Sequence, residues 1–317
     1  MSRRYDCRRV NRAFTARPDW YNGIQNNGSI HGPYRSVPCA QSLARSGTAS
    51  VIRIGKEIGG SAAVVLGAFI LLWGDFATPW ESVPVTGPFR SLLAYLTGAV
   101  LIAAGAGMFW ARTARAAAIV LAAISLGFTV LWAQVVARAP QIYDSWGNVA
   151  EQSSVTAGYL AIFSSLTPQK TINMARFAVG ARVWFGVCSI SFGVVHFKNL
   201  EGCAQFVPNW MPLGGMFWSA FTGVAHLATA VAVLSGIWAL LAARLAALMY
   251  LGFGLLGWGT FILGHPTDHF AWGGEIITLT LVAAVWMVGD SIEWDSARSP
   301  LQACSASASR PPGAHKP

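Results

Sequence analysis

Long apolar stretches alternate with short polar connections along most of the chain. The hydrocarbon core of a bilayer is about 30 Å thick and a helix rises about 1.5 Å per residue, so about 20 apolar residues make one crossing. Eight stretches approach this length: Ile58–Gly74, Ser91–Ala111, Ala116–Ala137, Val149–Leu166, Phe177–Phe197, Met216–Leu240, Leu245–Gly264 and Phe270–Gly289. None alternates as barrel strands do, which predicts an all-α membrane protein with eight transmembrane helices.

Two of these stretches are weak candidates when hydropathy alone is considered. The fourth contains Glu151 within a run of Gln, Ser and Thr residues, and the fifth carries Arg182 in its second turn. An internal repeat supports both of them, because each aligns with an apolar stretch in the other half of the chain.

The repeat is visible as landmarks that return about 125 residues later. They are Val83-Pro84 and Val207-Pro208, Thr97-Gly98 and Thr222-Gly223, Trp132 and Trp258, Asp144 and Asp268, and Glu151 and Glu275, with offsets of 124, 125, 126, 124 and 124. A tandem duplication explains this pattern. Because each copy has an even number of helices, both insert in the same orientation. We therefore predict two tandem, parallel four-helix bundles, formed by residues 51–170 and 171–290 and called here the first and second halves.

The two ends of the chain lack apolar runs. Residues 1–50 hold eight Arg against two acidic residues, and residues 291–317 contain Ser-Ala repeats and a Pro-Pro pair. We predict that both are disordered cytoplasmic tails. An organelle transit peptide, or a start codon placed too early, remains an alternative for the first of them.

Composition and charge agree with a membrane location. Hydrophobic residues make up 54% of the 317 residues and charged residues only 11%, which is typical of a chain that faces lipid. With the N-terminus in the cytoplasm, only Arg90, Arg138 and Lys198 of the 22 basic residues lie in outer loops. This predicts a multi-pass protein of the plasma (inner) membrane with both termini cytoplasmic. The net charge of +9 follows from this topology, so it indicates no nucleic-acid partner.

Polar side chains fall at helical spacing on three predicted helices of the second half. Arg182 and His196 lie fourteen residues apart on one face of the fifth helix, Thr222 and His226 lie on the sixth, and Glu275 lies on the eighth. An ionisable group inside a bilayer costs about 2.5–3.5 kcal/mol on insertion scales, so it usually has a partner or a function. We take these five residues as candidate cofactor-binding residues around an outward-facing cavity.

Two of these residues also have a structural interpretation. His226 could hydrogen-bond a facing Ser or a backbone carbonyl and simply join two helices. Glu275 has Glu151 as its counterpart in the sequence repeat, so this acid could be architectural in both halves.

Several motifs in the second half match a known family. They are Gly193-Val194-Val195-His196-Phe197, Val207-Pro208-Asn209-Trp210-Met211-Pro212, Phe217-Trp218 and Thr222-Gly223. This pattern, over roughly residues 175–290, resembles the DoxX/DoxD-like integral membrane proteins, which are four-helix units. The first half departs from it, since Ile70 aligns with His196 and Leu101 with His226. We therefore interpret the first half as a degenerate copy.

The resemblance implies one function, and the residues leave a second class of function open. Some members of the family resemble the membrane subunit of a thiosulfate:quinone oxidoreductase. This suggests a membrane oxidoreductase subunit that binds a quinone and works with a soluble or membrane redox partner. The alternative is a non-enzymatic transporter, or a scaffold that binds a partner. The resemblance assigns no catalytic residue, and oligomerisation stays open.

A metal or haem site is a third and narrower option. His196, His226, His265 and His269 could supply ligands, but none forms a close H-x-x-x-H pair within one helix. We therefore predict no metal site.

Overall fold

A computed structural model describes the backbone of residues 39–167 and 172–308, and the side chains of residues 54–167 and 174–296. Every regular element in these ranges is helical. The elements are α1 (Cys39–Trp73), α2 (Pro88–Gly107), α3 (Ala114–Arg138), α4 (Tyr143–Leu166), α5 (Ile172–Lys198), α6 (Leu200–Ala204), α7 (Gly214–Ser235), α8 (Ala239–Gly264) and α9 (His269–Ala308).

The outermost helices extend beyond the predicted tail boundaries at residues 50 and 291. Helix α1 begins at Cys39 and α9 ends at Ala308. Hydropathy locates where a helix enters lipid, and it does not show where the helix itself begins or ends. Residues 1–38 and 309–317 of the predicted tails lie outside the described residues.

Seven helices are long and apolar enough to cross a membrane. They are α2, α3, α7 and α8 over their whole length, together with Ile54–Trp73 of α1, Met174–Lys198 of α5 and His269–Ser296 of α9. The protein is therefore a multi-pass helical membrane protein. The prediction of an eighth crossing depends on α4, which has 24 residues but is too polar to qualify by hydropathy.

Helix α4 is polar because other helices enclose it. It packs against α3, α5 and α9, and every residue from Gln152 to Tyr159 is buried. A helix that faces protein on all sides needs no apolar, lipid-facing stripe. Its Ser, Thr and Gln side chains satisfy part of their hydrogen bonding locally, as when Thr156 donates to the carbonyl oxygen of Gln152 at 3.0 Å.

Helices α4 and α9 cross with their backbones in close approach. A Cβ added to Gly158 would lie 2.6 Å from the Cα and 2.8 Å from the carbonyl oxygen of Ala284. Only glycine fits there, as in other membrane helix pairs that associate through small residues. Ala284 follows Gly158 by 126 residues, so equivalent positions of the two halves meet at this crossing.

Helices α1 and α2 also pack through glycines. A Cβ on Gly60 would lie 2.7 Å from the carbonyl oxygen of Gly105, and one on Gly67 would lie 2.6 Å from that of Gly98. Two contact points seven residues apart on each helix indicate a long and close antiparallel crossing of the pair.

Helices α5 and α7 use glycines at equivalent positions. Gly193 and Gly223 follow Gly67 and Gly98 by 126 and 125 residues. A Cβ on Gly193 would lie 3.1 Å from the carbonyl oxygen of Gly223 and 2.6 Å from the side chain of Leu227. The first two long helices of each half therefore make the same kind of contact.

The connections before α4 and α9 make similar hydrogen bonds. The indole of Trp146 donates to the carbonyl oxygen of Pro140 at 3.0 Å, and the indole of Trp272 donates to that of Pro266 at 2.9 Å. Both residues of the second pair follow those of the first by 126 residues, whereas Glu151 and Glu275 are 124 residues apart. The indole of Trp218 donates to the carbonyl oxygen of Pro212 in the same way at the start of α7, so this bond is a feature of three helix starts.

Residues of the first half pack directly against residues of the second half. Residues from Gln41 onward form one compact unit. A Cβ on Gly59 of α1 would lie 2.7 Å from the sulfur of Met287 on α9. In the connection after α1, the ring of Trp80 lies 5.0 Å from that of Phe270 and 5.4 Å from that of Trp258. The division at residue 170 remains a prediction about the sequence.

Candidate functional site

Three of the five predicted site residues meet between α5 and α7. The His226 side chain is 2% exposed, and its ring centroid lies 5.2 Å from that of the partly exposed His196. The hydroxyl of Thr222, one turn before His226, is 3.3 Å from Nδ1 of His196. Together, His196, Thr222 and His226 are called here the histidine cluster.

The close packing of α5 and α7 brings the cluster together. A Cβ on Gly223 would lie 3.0 Å from the Cβ of His196, so the glycine next to Thr222 leaves room for the histidine. Thr222 also donates to the carbonyl oxygen of Trp218 at 2.8 Å, which fixes its side chain. The Thr-Gly pair of the sequence motif thus positions one side chain and makes space for another.

Aromatic side chains surround the histidine cluster. The hydroxyl of Tyr250 on α8 lies 3.5 Å from Nδ1 of His226, and the ring of Phe192 lies 5.1 Å from that of His226. The ring of Phe253 is 6.5 Å from both histidine rings. Sequence analysis missed these three residues. Phe192 lies one turn before His196, and Tyr250 is the one tyrosine in its apolar stretch, but an aromatic residue in a membrane helix does not by itself indicate a site.

The cluster can bind a polar ligand or move a proton. An imidazole can accept a proton at one nitrogen while it donates one from the other, and a phenol can do the same at its oxygen. His196 is partly exposed, whereas His226 and Tyr250 are buried. The three side chains therefore form a polar route from the surface into the protein.

Glu275 lies near α8 and is separate from the histidine cluster. Its two carboxyl oxygens lie 3.0 and 3.1 Å from where a Cβ on Gly254 would be, and Oε2 is buried without a hydrogen-bond partner. Gly254 belongs to a π-helical segment, Phe253–Trp258. Such segments are frequent at functional sites, because they leave backbone groups without their usual partners.

Glu151 lies on α4, which packs against α3, α5 and α9. Its Oε2 atom is buried and has no hydrogen-bond partner.

Arg182 lies near the opposite end of α5 from His196. Fourteen residues correspond to about 21 Å along a helix. Arg182 donates to the carbonyl oxygen of Ser291 at 2.7 Å and forms an ion pair with Asp295, both on α9. The structure thus places this candidate in a contact between two helices, away from the histidine cluster.

The connection before α9 does not join the cluster either. His265 is exposed, and the carboxylate of Asp268 accepts from the backbone N–H of Phe270 at 2.8 Å, as an N-cap residue does. The ring of His269 stacks on that of Phe69, 5.0 Å away on α1. Within the described part of the chain, no group of three or more His, Cys, Asp or Glu residues could hold a metal ion.

A buried acid in the connection between α1 and α2 was not found from the sequence. Glu81 is fully buried, and its Oε2 accepts from the backbone N–H of Ala77 at 2.8 Å, while Oε1 has no partner. Burial raises the pKa of Glu81 to about 7. The nearby Asp75 raises the pKa further, and the hydrogen bond from Ala77 opposes both effects.

An apolar groove lies between α2 and α3. It has a volume of about 490 Å³ and is lined mainly by aliphatic and aromatic side chains, including Leu96, Val100, Ile124 and Phe128. Thr97 supplies the polar side chain in this lining. The groove suits a hydrocarbon chain and offers little to orient a polar group.

Comparison with known proteins gives no relative for the chain. No family model matches it, and no curated protein and no solved structure is detectably similar to it. The DoxX-like resemblance therefore rests on the motif residues of the second half alone.

Proposed function

We propose that the protein crosses the membrane eight times, with α4 as the polar crossing, and that its halves arose by tandem duplication. Twenty-four residues of helix are about 36 Å long, which exceeds the hydrocarbon thickness of about 30 Å. The equivalent glycine contacts and the two indole hydrogen bonds support the duplication. Eight crossings put both termini on the same side of the membrane. We propose that this membrane is the plasma membrane and that this side is the cytoplasm, as the charge distribution predicts.

Cysteine labelling tests the α4 crossing. In a variant whose native cysteines are replaced by serine, Gln141→Cys and Thr167→Cys introduce one thiol just before or just after α4. We expect a membrane-impermeant maleimide to label residue 141 in intact cells and residue 167 only after permeabilisation. Labelling of both from the same side would show that α4 does not cross.

We further propose that the protein is the membrane subunit of a quinone-linked redox system and that the quinone head group binds at the histidine cluster. The observation that carries this proposal is the fully buried His226, in contact with Tyr250 and beside His196. Buried polar groups in a membrane are costly and are usually functional.

Quinone chemistry fits the composition of the cluster. Reduction of a quinone to a quinol takes up two electrons and two protons, and in a dry interior the protons must arrive through side chains. His196, His226 and Tyr250 supply such a route, while Phe192 and Phe253 offer aromatic faces to the ring. The electrons come from a partner subunit. The DoxX-like resemblance suggests one that oxidises an inorganic sulfur compound such as thiosulfate.

Quinone binding tests this function directly. Titration of the protein in nanodiscs with decylubiquinone should quench its tryptophan fluorescence in a saturable manner. Loss of a hydrogen bond to a buried charged or polar partner costs about 1.5–3 kcal/mol, so His226→Gln should weaken binding by about tenfold or more. His265→Gln is the matched control, because His265 is exposed in a loop, and it should bind normally.

Two results would overturn the redox proposal. One is an absence of saturable quinone binding by the wild-type protein. The other is equal affinity of the wild type and His226→Gln. Accumulation of a solute in sealed vesicles, without quinone binding, would instead favour a transporter whose polar route carries protons.

A further inference from the structure

A hydroxyl group has one proton to donate, and this decides the role of Thr222 in the histidine cluster. The hydroxyl of Thr222 lies 2.8 Å from the carbonyl oxygen of Trp218 and 3.1 Å from that of Ser219. Carbonyl oxygens only accept hydrogen bonds, so the proton of Thr222 is donated to them. Toward Nδ1 of His196, which is 3.3 Å away, Thr222 therefore presents a lone pair and acts as an acceptor.

The contact with Thr222 fixes the tautomer of His196. A neutral imidazole carries its proton on one nitrogen, and the hydrogen bonds around the ring select which one. His196 forms no ion pair with a described residue, and the ring of His226, 5.2 Å away, opposes a charge on either histidine. Neutral His196 therefore holds its proton on Nδ1, which faces Thr222, and its Nε2 atom keeps a lone pair.

Tyr250 has the opposite effect on His226. The hydroxyl of Tyr250 lies 3.5 Å from Nδ1 of His226, and the structure shows no other hydrogen-bond contact of this hydroxyl with a described residue. Tyr250 is buried, so a hydroxyl proton without an acceptor would cost about 1–3 kcal/mol. The proton is therefore donated to Nδ1, and His226 holds its own proton on Nε2.

The two rings thus offer unlike groups at Nε2. His196 presents an acceptor and His226 a donor, and neither Nε2 atom has a hydrogen-bond partner in the part of the chain that the structure describes. A hydroxyl of a ligand can donate to the first ring and accept from the second. A carbonyl oxygen can only accept, so it would bond to His226 and leave the lone pair of His196 unmatched.

We propose that the histidine cluster selects the quinol form of its ligand over the quinone form, and that Thr222 sets this preference through the tautomer of His196. A quinol carries a hydroxyl where the quinone has a carbonyl oxygen, so the quinol satisfies both histidines. The inference rests on the proposed quinone site, for which it names the favoured oxidation state and a positioning residue.

Preferential binding of the quinol has a consequence for electron transfer. A quinone takes up two electrons and two protons to become a quinol, and a site that stabilises this product makes the bound quinone a stronger oxidant. A tenfold preference raises the midpoint potential of the bound two-electron couple by about 30 mV. Such a shift suits a site that receives electrons from a partner subunit.

Binding of the two oxidation states tests the preference. The wild-type protein in nanodiscs is titrated with decylubiquinol or decylubiquinone in a calorimeter under argon, with empty nanodiscs as the blank. A buried acceptor without a donor costs about 1–3 kcal/mol, so the quinol should bind about tenfold more tightly. Equal affinities, or tighter binding of the quinone, would overturn the inference while the proposed function stands. Absence of saturable binding by both forms would overturn the proposed function and the inference with it.

Substitutions on α7 test the part played by Thr222. Thr222→Val removes the acceptor and should bring the two affinities together, whereas Thr222→Ser keeps a hydroxyl and should keep the preference. Thr229→Val is the matched control, because Thr229 donates to the carbonyl oxygen of Ala225 at 2.9 Å and makes no hydrogen bond with either histidine. An unchanged preference in Thr222→Val, or its loss in Thr229→Val, would show that Thr222 does not set it.

The tautomers can be observed without a ligand. In protein that contains isotope-labelled histidine, NMR correlations show which ring nitrogen carries the proton, and His196→Gln and His226→Gln assign the two signals. We expect the proton of His196 on Nδ1 and that of His226 on Nε2. A proton on Nε2 of His196 would refute the inference even if quinol binds. This measurement uses the wild-type protein, so it decides the tautomer even if Thr222→Val fails to insert.

Discussion

The crossing of α4 and α9 gives a prediction that can be worked out from distances. In Gly158→Ala, the new Cβ would lie 2.6 Å from the Cα of Ala284 and 2.8 Å from its carbonyl oxygen. These are backbone atoms, which cannot rotate away. Ordinary contact begins at 3.4 Å, so the two helices must move apart by about 0.8 Å.

The energy of this displacement is measured best against a matched glycine. Overpacking of a well-packed interior costs about 1–3 kcal/mol. Gly127 lies within α3, and a Cβ there would meet nothing within 4 Å. Both substitutions gain the same helix propensity, up to about 1 kcal/mol in soluble hosts, so that contribution cancels in the comparison. Gly158→Ala should therefore be about 1–3 kcal/mol less stable than Gly127→Ala.

The assay is the free energy of unfolding in micelles, measured by titration with a denaturing detergent and followed by tryptophan fluorescence. Insertion of both variants at the wild-type level is the control for expression. Equal stability of Gly158→Ala and Gly127→Ala would refute the close approach of α4 and α9, and with it the central position of α4.

Three further substitutions test the buried acid between α1 and α2 and two ion pairs made by α9. The pKa of Glu81 is about 7 in the folded protein, against an ordinary value of 4.5, so its contribution to stability is fully present below pH 4.5 and is lost as the pH rises to about 7. In unfolding measurements across this window, Glu81→Gln should lack a loss of roughly 3 kcal/mol that the wild type shows, and identical pH profiles would contradict the burial of Glu81. Arg244→Met leaves the fully buried Asp290 without its ion-pair partner and should cost about 3–5 kcal/mol of unfolding free energy. Arg182→Met should cost about 1 kcal/mol or less, because Asp295 is 27% exposed, and equal losses in the two variants would show that burial does not decide the difference.

Hydropathy predicts the lipid-facing helices well because lipid demands apolar surfaces. Seven of the eight predicted stretches correspond to helices that qualify as membrane spans. Helix α4 is found only through the repeat, since its neighbours replace lipid and allow Glu151 and Gln152 inside it. Hydropathy indicates whether a helix faces lipid, and α4 faces other helices of the protein instead.

Helical spacing predicts which residues share a face, but it does not predict which faces meet. It finds His196, Thr222 and His226, which the structure brings together between α5 and α7. It also includes Arg182, which shares a face with His196 but lies too far along the helix to reach it. Tyr250 was missed because its partner is on another helix, and the distance between helices is not encoded in local spacing.

Different landmarks of the predicted repeat give different offsets. Glu151 and Glu275 are 124 residues apart, whereas Pro266 and Trp272 follow Pro140 and Trp146 by 126 residues and make the same hydrogen bond. The pairing of the two acids therefore stays a prediction from the sequence.

The position of a bound quinone tests the central claim most directly. A decylubiquinone analogue carrying a photoreactive azide can be cross-linked to the protein in nanodiscs, and the labelled peptides can be identified by mass spectrometry. The histidine cluster predicts labelling of peptides that contain His226 or Tyr250, reduced in His226→Gln. Labelling confined to the apolar groove between α2 and α3, at residues such as Val100 and Phe128, would contradict a quinone site in the second half.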